Sequence, residues 1–299
     1  MDASLALLHR VAASTVTITA EVPASHPSAA ILGTQRIGSG TVVAPDGVIL
    51  TVNYVALGAG PVTVVDVGGN RYEGRVVAQD FTTGVAVIRS GASSLPVIES
   101  GSSADIEIGD DVMTVASAGA GDRRSAWGSV TSLEAFEANW EYILERALWA
   151  TGTNPGPGGG PLCDAKARMV GIVSLNMGML GRSILAIPSE NYYDHAEELL
   201  THGQRVTRPR RAWLGLFCAA SEEGATVVHL IPGSPGDAGG LRAEDVILRI
   251  DGSEISCHTD LYKRIWAHKP GDSLEFYVYR KGRLLTFPLT AGDAEEFLG

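Results

Sequence analysis

Between residues 27 and 194 the chain has no histidine, and its only lysine there is Lys166. Cysteine is just as sparse. Cys163, Cys218 and Cys257 lie far apart, with no CxxC or Cys/His ligand spacing. That excludes a disulfide framework at this size and makes a zinc site an unexpected feature; all three read as buried thiols. No cofactor motif is present, and no metal is expected. Aromatic residues make up only 6% of the chain, and none precedes Tyr54. No apolar run approaches the ~18 residues of a membrane span. Basic residues are the minority, 23 against 34 acidic, for a formal net charge of −11. Such a chain repels phosphate, so nucleic acid is not an expected partner. The one short basic cluster, Arg205, Arg208, Arg210 and Arg211, reads as a solvated linker. The first residues do not read as a secretory signal: Asp2 stands in the n-region, and His9 and Arg10 interrupt "SLALL". As written the chain is expected to be cytoplasmic, or extracytoplasmic if a signal or anchor was removed.

Glycine is in excess, 36 of 299 residues, against a usual share of about 7%. Many tight turns and short strands follow. With 45% hydrophobic residues the chain is far from disordered, and its length suggests two domains. Residues 2–12 predict a short helix, "STVTITAEV" a strand, and 23–35 a loop. From 36 to 190, short β-rich runs alternate with turn signals such as "PDG" and "GGN", without intervening helices. That is the pattern of an all-β barrel or sandwich. The stretch 134–150 is ambiguous: Trp140, Tyr142 and Leu144 alternate like a strand, while the composition suits a helix. Residues 189–202 predict a helix with Ser189 as N-cap and Gly203 as its stop. Polar residues 203–211 predict a linker. Residues 212–293 predict a small β module with one helix near 259–268, capped by Thr259, and a closing hairpin at "KGR".

The phrase "NPGPGGGPL" at 154–162 resembles the "NPGNSGGPL" loop of the HtrA branch of trypsin-like serine proteases. Its flanks agree. "GSGTVVAPDGVILTVNYVA", "DFTTGVAVI", "IGDDVMTVAS", "WGSVTSL" and "ILAIPS" resemble that family's segments in the same order. "RAWLGL", "IPGSPGDAGGLRAEDVILRIDG" and "KPGDSLEFYVYRKG" resemble its PDZ domain. The resemblance covers about residues 10–293. It implies a mainly β fold, a trypsin-like double β-barrel over 1–202, a linker at 203–211 and a PDZ domain over 212–299.

The family's reaction needs a histidine base, an aspartate that orients it and a serine nucleophile. Those positions fall here on Tyr54, Gly84 and Gly158, and Pro157 replaces the residue before the serine. Glycine has no group to attack or orient with, and a phenol of pKa near 10 is a poor base. The resemblance places the oxyanion donors at Gly156 and Gly158, where Pro157 restricts the backbone. The simplest reading of "GPGGGP" is a flexible surface loop left after catalysis was lost. The alternative is a nest of backbone N–H groups for an anion or carbonyl. Tyr54 reads as a ring filling the lost imidazole's space, its hydroxyl in water.

PDZ domains bind peptide C-termini by strand addition beside a carboxylate loop. The resemblance puts that loop at Leu214, Gly215 and Leu216, with Leu261 or Ile265 on the facing helix either lining the groove or packing in the core. The expected function is therefore a catalytically inactive HtrA-like scaffold, regulator or chaperone for peptides or proteins. The alternatives are an endopeptidase with non-standard catalytic residues or a subunit that regulates active relatives. The family's trimers use aromatic residues near the N-terminus, which this chain lacks, so its assembly state is left open.

Overall fold

The structure is a computed structural model that describes residues 2–92, 94–178 and 182–299. It divides into two compact units. The first comprises residues 1–23, 32–136 and 144–206, and the second comprises residues 24–31, 137–143 and 207–299.

In the first unit a helix, Asp2–Ser14, leads into β1 (Thr15–Glu21). Then follow β2 (Gln35–Ala44), β3 (Val48–Val52), β4 (Pro61–Val65), β5 (Arg71–Asp80) and β6 (Val85–Ser90). These six close into a barrel in the order β1-β2-β3-β6-β5-β4. β3, "VILTV", is buried at every position, as a short apolar run inside a closed barrel must be. The "PDG" turn joins β2 to β3. Gly47 sits there at φ +82°, and an added Cβ would lie 2.5 Å from the Ser90 carbonyl oxygen, so only glycine fits. The "GGN" turn before β5 is tied by the Asp66 carboxylate, which accepts from Asn70 N and Nδ2, both at 2.9 Å, and from the Tyr72 hydroxyl at 3.0 Å.

A second set of strands follows: β7 (Glu99–Ser100), β8 (Asp111–Ser117), β9 (Arg123–Ser132), β10 (Phe136–Glu137), β11 (Ile143–Leu144), β12 (Leu148–Thr151), β13 (Pro161–Asp164), β14 (Arg168–Met177) and β15 (Ser183–Pro188). The order β13-β8-β9-β12-β15-β14, with β13 also pairing β14, closes a second six-stranded barrel. Leu148, Leu162, Val170 and Val173 fill it. The ambiguous stretch 134–150 is not helical: it holds β10, β11 and β12. The helix expected over 189–202 is two, Glu190–Tyr193 and Ala196–His202. Ser189 does not cap it; its backbone is already helical. Glu190 instead turns away to accept from Ser103 N and Oγ, both at 2.6 Å. Gly203 does end the second helix, at φ +74°.

The second unit carries β16 (Leu216–Ser221), β17 (Gly224–Leu230), β18 (Val246–Ile250), β19 (Ser253–Glu254), β20 (Ser273–Arg280) and β21 (Arg283–Thr290). They form one sheet, β16-β17-β18-β20-β21, with β19 against β18. The "KGR" hairpin pairs Arg280 with Arg283 across Lys281 and Gly282, both at positive φ, the geometry of a two-residue type I′ turn. The helix His258–Trp266 starts earlier than expected, with Cys257 at its N-cap. Thr259 lies inside it and donates instead to Glu137. Cys163 and Cys218 are buried, but Cys257 is half-exposed, so the expectation of three buried thiols holds for two.

Candidate functional site

In the first unit, Tyr54, Gly84 and Gly158 converge although they are 30 and 74 residues apart in sequence. Tyr54 rides on a single helical turn, Asn53–Ala56, that follows β3. Arg36, almost fully buried on β2, fixes that turn by donating to the carbonyls of Tyr54 at 3.0 Å and Leu57 at 2.7 Å. Gly84 sits in the turn between β5 and β6, and its carbonyl accepts from Asn53 N at 2.7 Å. Its φ of +79° is one that an aspartate adopts only with strain.

Gly158 meets Tyr54 directly. A Cβ at residue 158 would stand 2.1 Å from the Tyr54 hydroxyl oxygen and 2.6 Å from the Ser174 carbonyl oxygen. The hydroxyl donates to that carbonyl at 2.6 Å. It is thus bonded within the protein rather than left in water. Burial pushes the Tyr54 phenol up to about 12, which keeps it protonated at any physiological pH.

The glycine loop is not a flexible surface loop. Ser39 N donates to the Gly158 carbonyl at 2.8 Å and Ser39 Oγ to that of Pro157 at 2.8 Å. Asn154 Nδ2 donates to the Gly156 carbonyl at 2.8 Å. Gly159 N donates to Val173, and Gly160 accepts from Val173 N. Side chains are excluded by close backbone approach: a Cβ at Gly156 would lie 2.2 Å from the Ser117 carbonyl oxygen, and one at Gly159 2.0 Å from that of Ser39. The glycines stay because the loop threads between strands, which is a packing constraint independent of catalysis.

In the second unit the amides of Leu214, Gly215 and Leu216 point at one carboxyl oxygen. They donate to Glu141 Oε1 at 3.1, 2.7 and 3.0 Å. Gly215 has φ +79°, and a Cβ there would strike Ser234 at 2.4 Å. Leu214, Leu216, Leu261 and Ile265 all lie in the unit's buried core. The helix residues that face the carboxyl-bearing segment are instead Thr259 and Tyr262, three apart on one side of His258–Trp266. Sequence reasoning missed Glu141, Thr259 and Tyr262. The accepting carboxyl group and its amide donors are over 70 residues apart, and only the fold shows that they meet.

Residues 38–172 match the model of the trypsin-like peptidase domain, and residues 204–290 that of the PDZ domain. The chain belongs to the HtrA family. Among curated HtrA relatives it is 29% identical over 275 residues to a probable periplasmic serine endoprotease DegP-like of Halomonas elongata, covering 87% of this chain and 57% of that protein. It is 30% identical over 291 residues to the protein of that name in Pseudomonas savastanoi pv. phaseolicola, covering 90% and 60%. The chain thus spans a little over half the length of the curated relatives it matches. Solved structures share the fold. The HtrA-type protease AlgW with decapeptide superposes at TM-score 0.56 with 24% identity over 96% of this chain and 97% of that one. The serine endoprotease from Yersinia pestis superposes at 0.55 with 22% identity, covering 96% of each. No helix among the described residues is long and apolar enough to cross a membrane.

Proposed function

We propose that this chain is a catalytically inactive HtrA-type protein whose PDZ domain binds extended peptide or protein segments, as a scaffold, regulator or chaperone. One observation carries the reading: the Tyr54 hydroxyl occupies the space that a nucleophile's side chain at residue 158 would need. The base position therefore does more than lack a base. It fills the nucleophile's place and is tied to Ser174. In an unrelated serine protease, loss of the triad removes ~10⁶ in turnover. No histidine between residues 27 and 194 is available to replace the missing one. The amide cluster at 214–216 supports the binding half, because three convergent N–H groups suit a carboxylate. The naming of the relatives as periplasmic proteins supports an extracytoplasmic setting for this chain.

Incubation of the purified chain with unfolded casein and with a fluorophosphonate probe tests the first half. No cleavage and no labelling are expected. Cleavage that a single substitution in this chain abolishes would overturn the reading and establish an endopeptidase with non-standard catalytic residues.

A further inference from the structure

We infer that residues 137–143 are a resident ligand of the PDZ groove, with the Glu141 side chain standing where a peptide's terminal carboxylate would sit. The inference deepens the peptide-binding reading above and rests on it for the groove's role.

Although residues 137–143 fall between β9 and β12 in chain order, they belong to the second compact unit. They lie against β16 as an added antiparallel segment. Cys218 N donates to the Asn139 carbonyl at 2.6 Å, and Trp140 bridges to Phe217. The Tyr262 hydroxyl donates to the same Asn139 carbonyl, and Thr259 Oγ1 donates to Glu137 Oε2 at 2.7 Å. Trp140 stacks on Tyr142 and leans on Phe217, with ring centroids 6.2 and 6.4 Å apart. The chain then turns sharply. Tyr142 N donates to the Trp140 carbonyl at 2.5 Å and Ala138 N to that of Tyr142 at 3.0 Å. That turn drops the Glu141 side chain, 7% exposed, into the amides of 214–216.

Strand addition on one wall, a helix on the other and a carboxyl group at the closed end are the elements of terminal-peptide recognition. Here all are satisfied by an internal segment whose side chain supplies the carboxyl. A covalently tethered segment acts at an effective concentration in the millimolar range. A free peptide must displace it, so its apparent affinity falls by the fraction of molecules with an open groove.

The test uses the full chain as wild type, Glu141→Gln, Glu141→Ala and, as a variant outside the carboxyl contact, Thr259→Val. Circular dichroism establishes that each is folded. Two readouts follow. The first is amide hydrogen exchange at Leu214, Gly215 and Leu216, expected to be at least tenfold faster in Glu141→Ala than in wild type, with Glu141→Gln and Thr259→Val between. The second is binding of a labelled synthetic peptide with the sequence of residues 137–141 and a free C-terminus, expected to be at least tenfold tighter to Glu141→Ala than to wild type. Equal exchange in wild type and Glu141→Ala overturns the resident ligand. Faster exchange with no peptide binding to any variant keeps the resident ligand and overturns peptide binding as the domain's function. Faster exchange with equal peptide affinity throughout overturns the competition and, with it, the inference.

Discussion

At the scale of single residues, Tyr54 and Gly158 are one unit. The tyrosine ring is compatible with nothing larger than glycine opposite it. Gly158→Ser alone should lower stability by about 2–3 kcal/mol, the cost of overpacking a filled site. Tyr54→His should relieve part of that, so a double-mutant cycle read by urea denaturation is expected to show coupling of about 1–2 kcal/mol. Additive effects would contradict the contact. Relief is incomplete because the Ser174 carbonyl remains 2.6 Å from the new Cβ. The triple variant Tyr54→His, Gly84→Asp, Gly158→Ser is accordingly expected to leave casein uncut. Glu141 makes a second prediction. Burial pushes its carboxyl up to about 7, outweighing the three amides and the charge of Arg211; Cys218 and Tyr262 face it from β16 and the helix. Its pKa when docked exceeds the ordinary 4.5, so docking takes up a proton between those values. The stability of wild type relative to Glu141→Gln should therefore be greatest below about pH 4.5 and fall as pH rises through 7. Urea midpoints of the two proteins from pH 4 to 8 measure this, and a difference that grows with pH would refute it. Gly215→Glu is no test of the carboxylate loop, because positive φ and the clash with Ser234 would damage the fold itself.

At the scale of elements, one side chain ties strands of both barrels in the first unit. Arg123 on β9 donates to the carbonyls of Thr15 at 2.7 Å and Val65 at 2.8 Å, and to Thr17 Oγ1 at 3.3 Å. Three strands thus share one guanidinium. Arg123→Lys cannot reproduce the planar fork and leaves carbonyls without donors. A loss of about 2–3 kcal/mol is expected in urea denaturation, and a loss below about 0.5 kcal/mol would show that water replaces the donor. The elements were largely legible in the sequence. The "PDG", "GGN" and "KGR" turns stand where glycine and its neighbours require them, and the alternation in "STVTITAEV" is the strand Thr15–Glu21, although Thr15 and Thr17 are buried along with Val16 and Ile18. The two ends of the 189–202 helix were legible, after Ser189 and at Gly203, but its break and the lack of a Ser189 side-chain cap were not. Glu190 is drawn off by Ser103, nearly ninety residues away in sequence. Thr259 failed as a cap for a like reason, since a distant Glu137 captures its hydroxyl.

At the scale of the whole molecule, a net charge of −11 opposes polyanions. The chain is expected not to retard a DNA duplex at ~0.15 M salt, where such binding depends on neutralising phosphates. Retardation that weakens steeply with added salt would reveal a basic patch that the composition hides. By itself the sequence determined the family, the two barrels and the PDZ module, and it supplied the expectations of an empty catalytic row and of a carboxylate loop at 214–216. Those follow from local patterning and from residue types at fixed spacings. Only the tertiary structure decided what stands against those residues. Tyr54 meets Gly158 because two turns from different barrels converge, and Glu141 meets the amides of 214–216 because residues 137–143 pack against β16. Hydrogen bonds and steric exclusion act between atoms a few ångströms apart, and a linear sequence does not say which distant residues the closing of a barrel or the docking of a segment will bring to that distance.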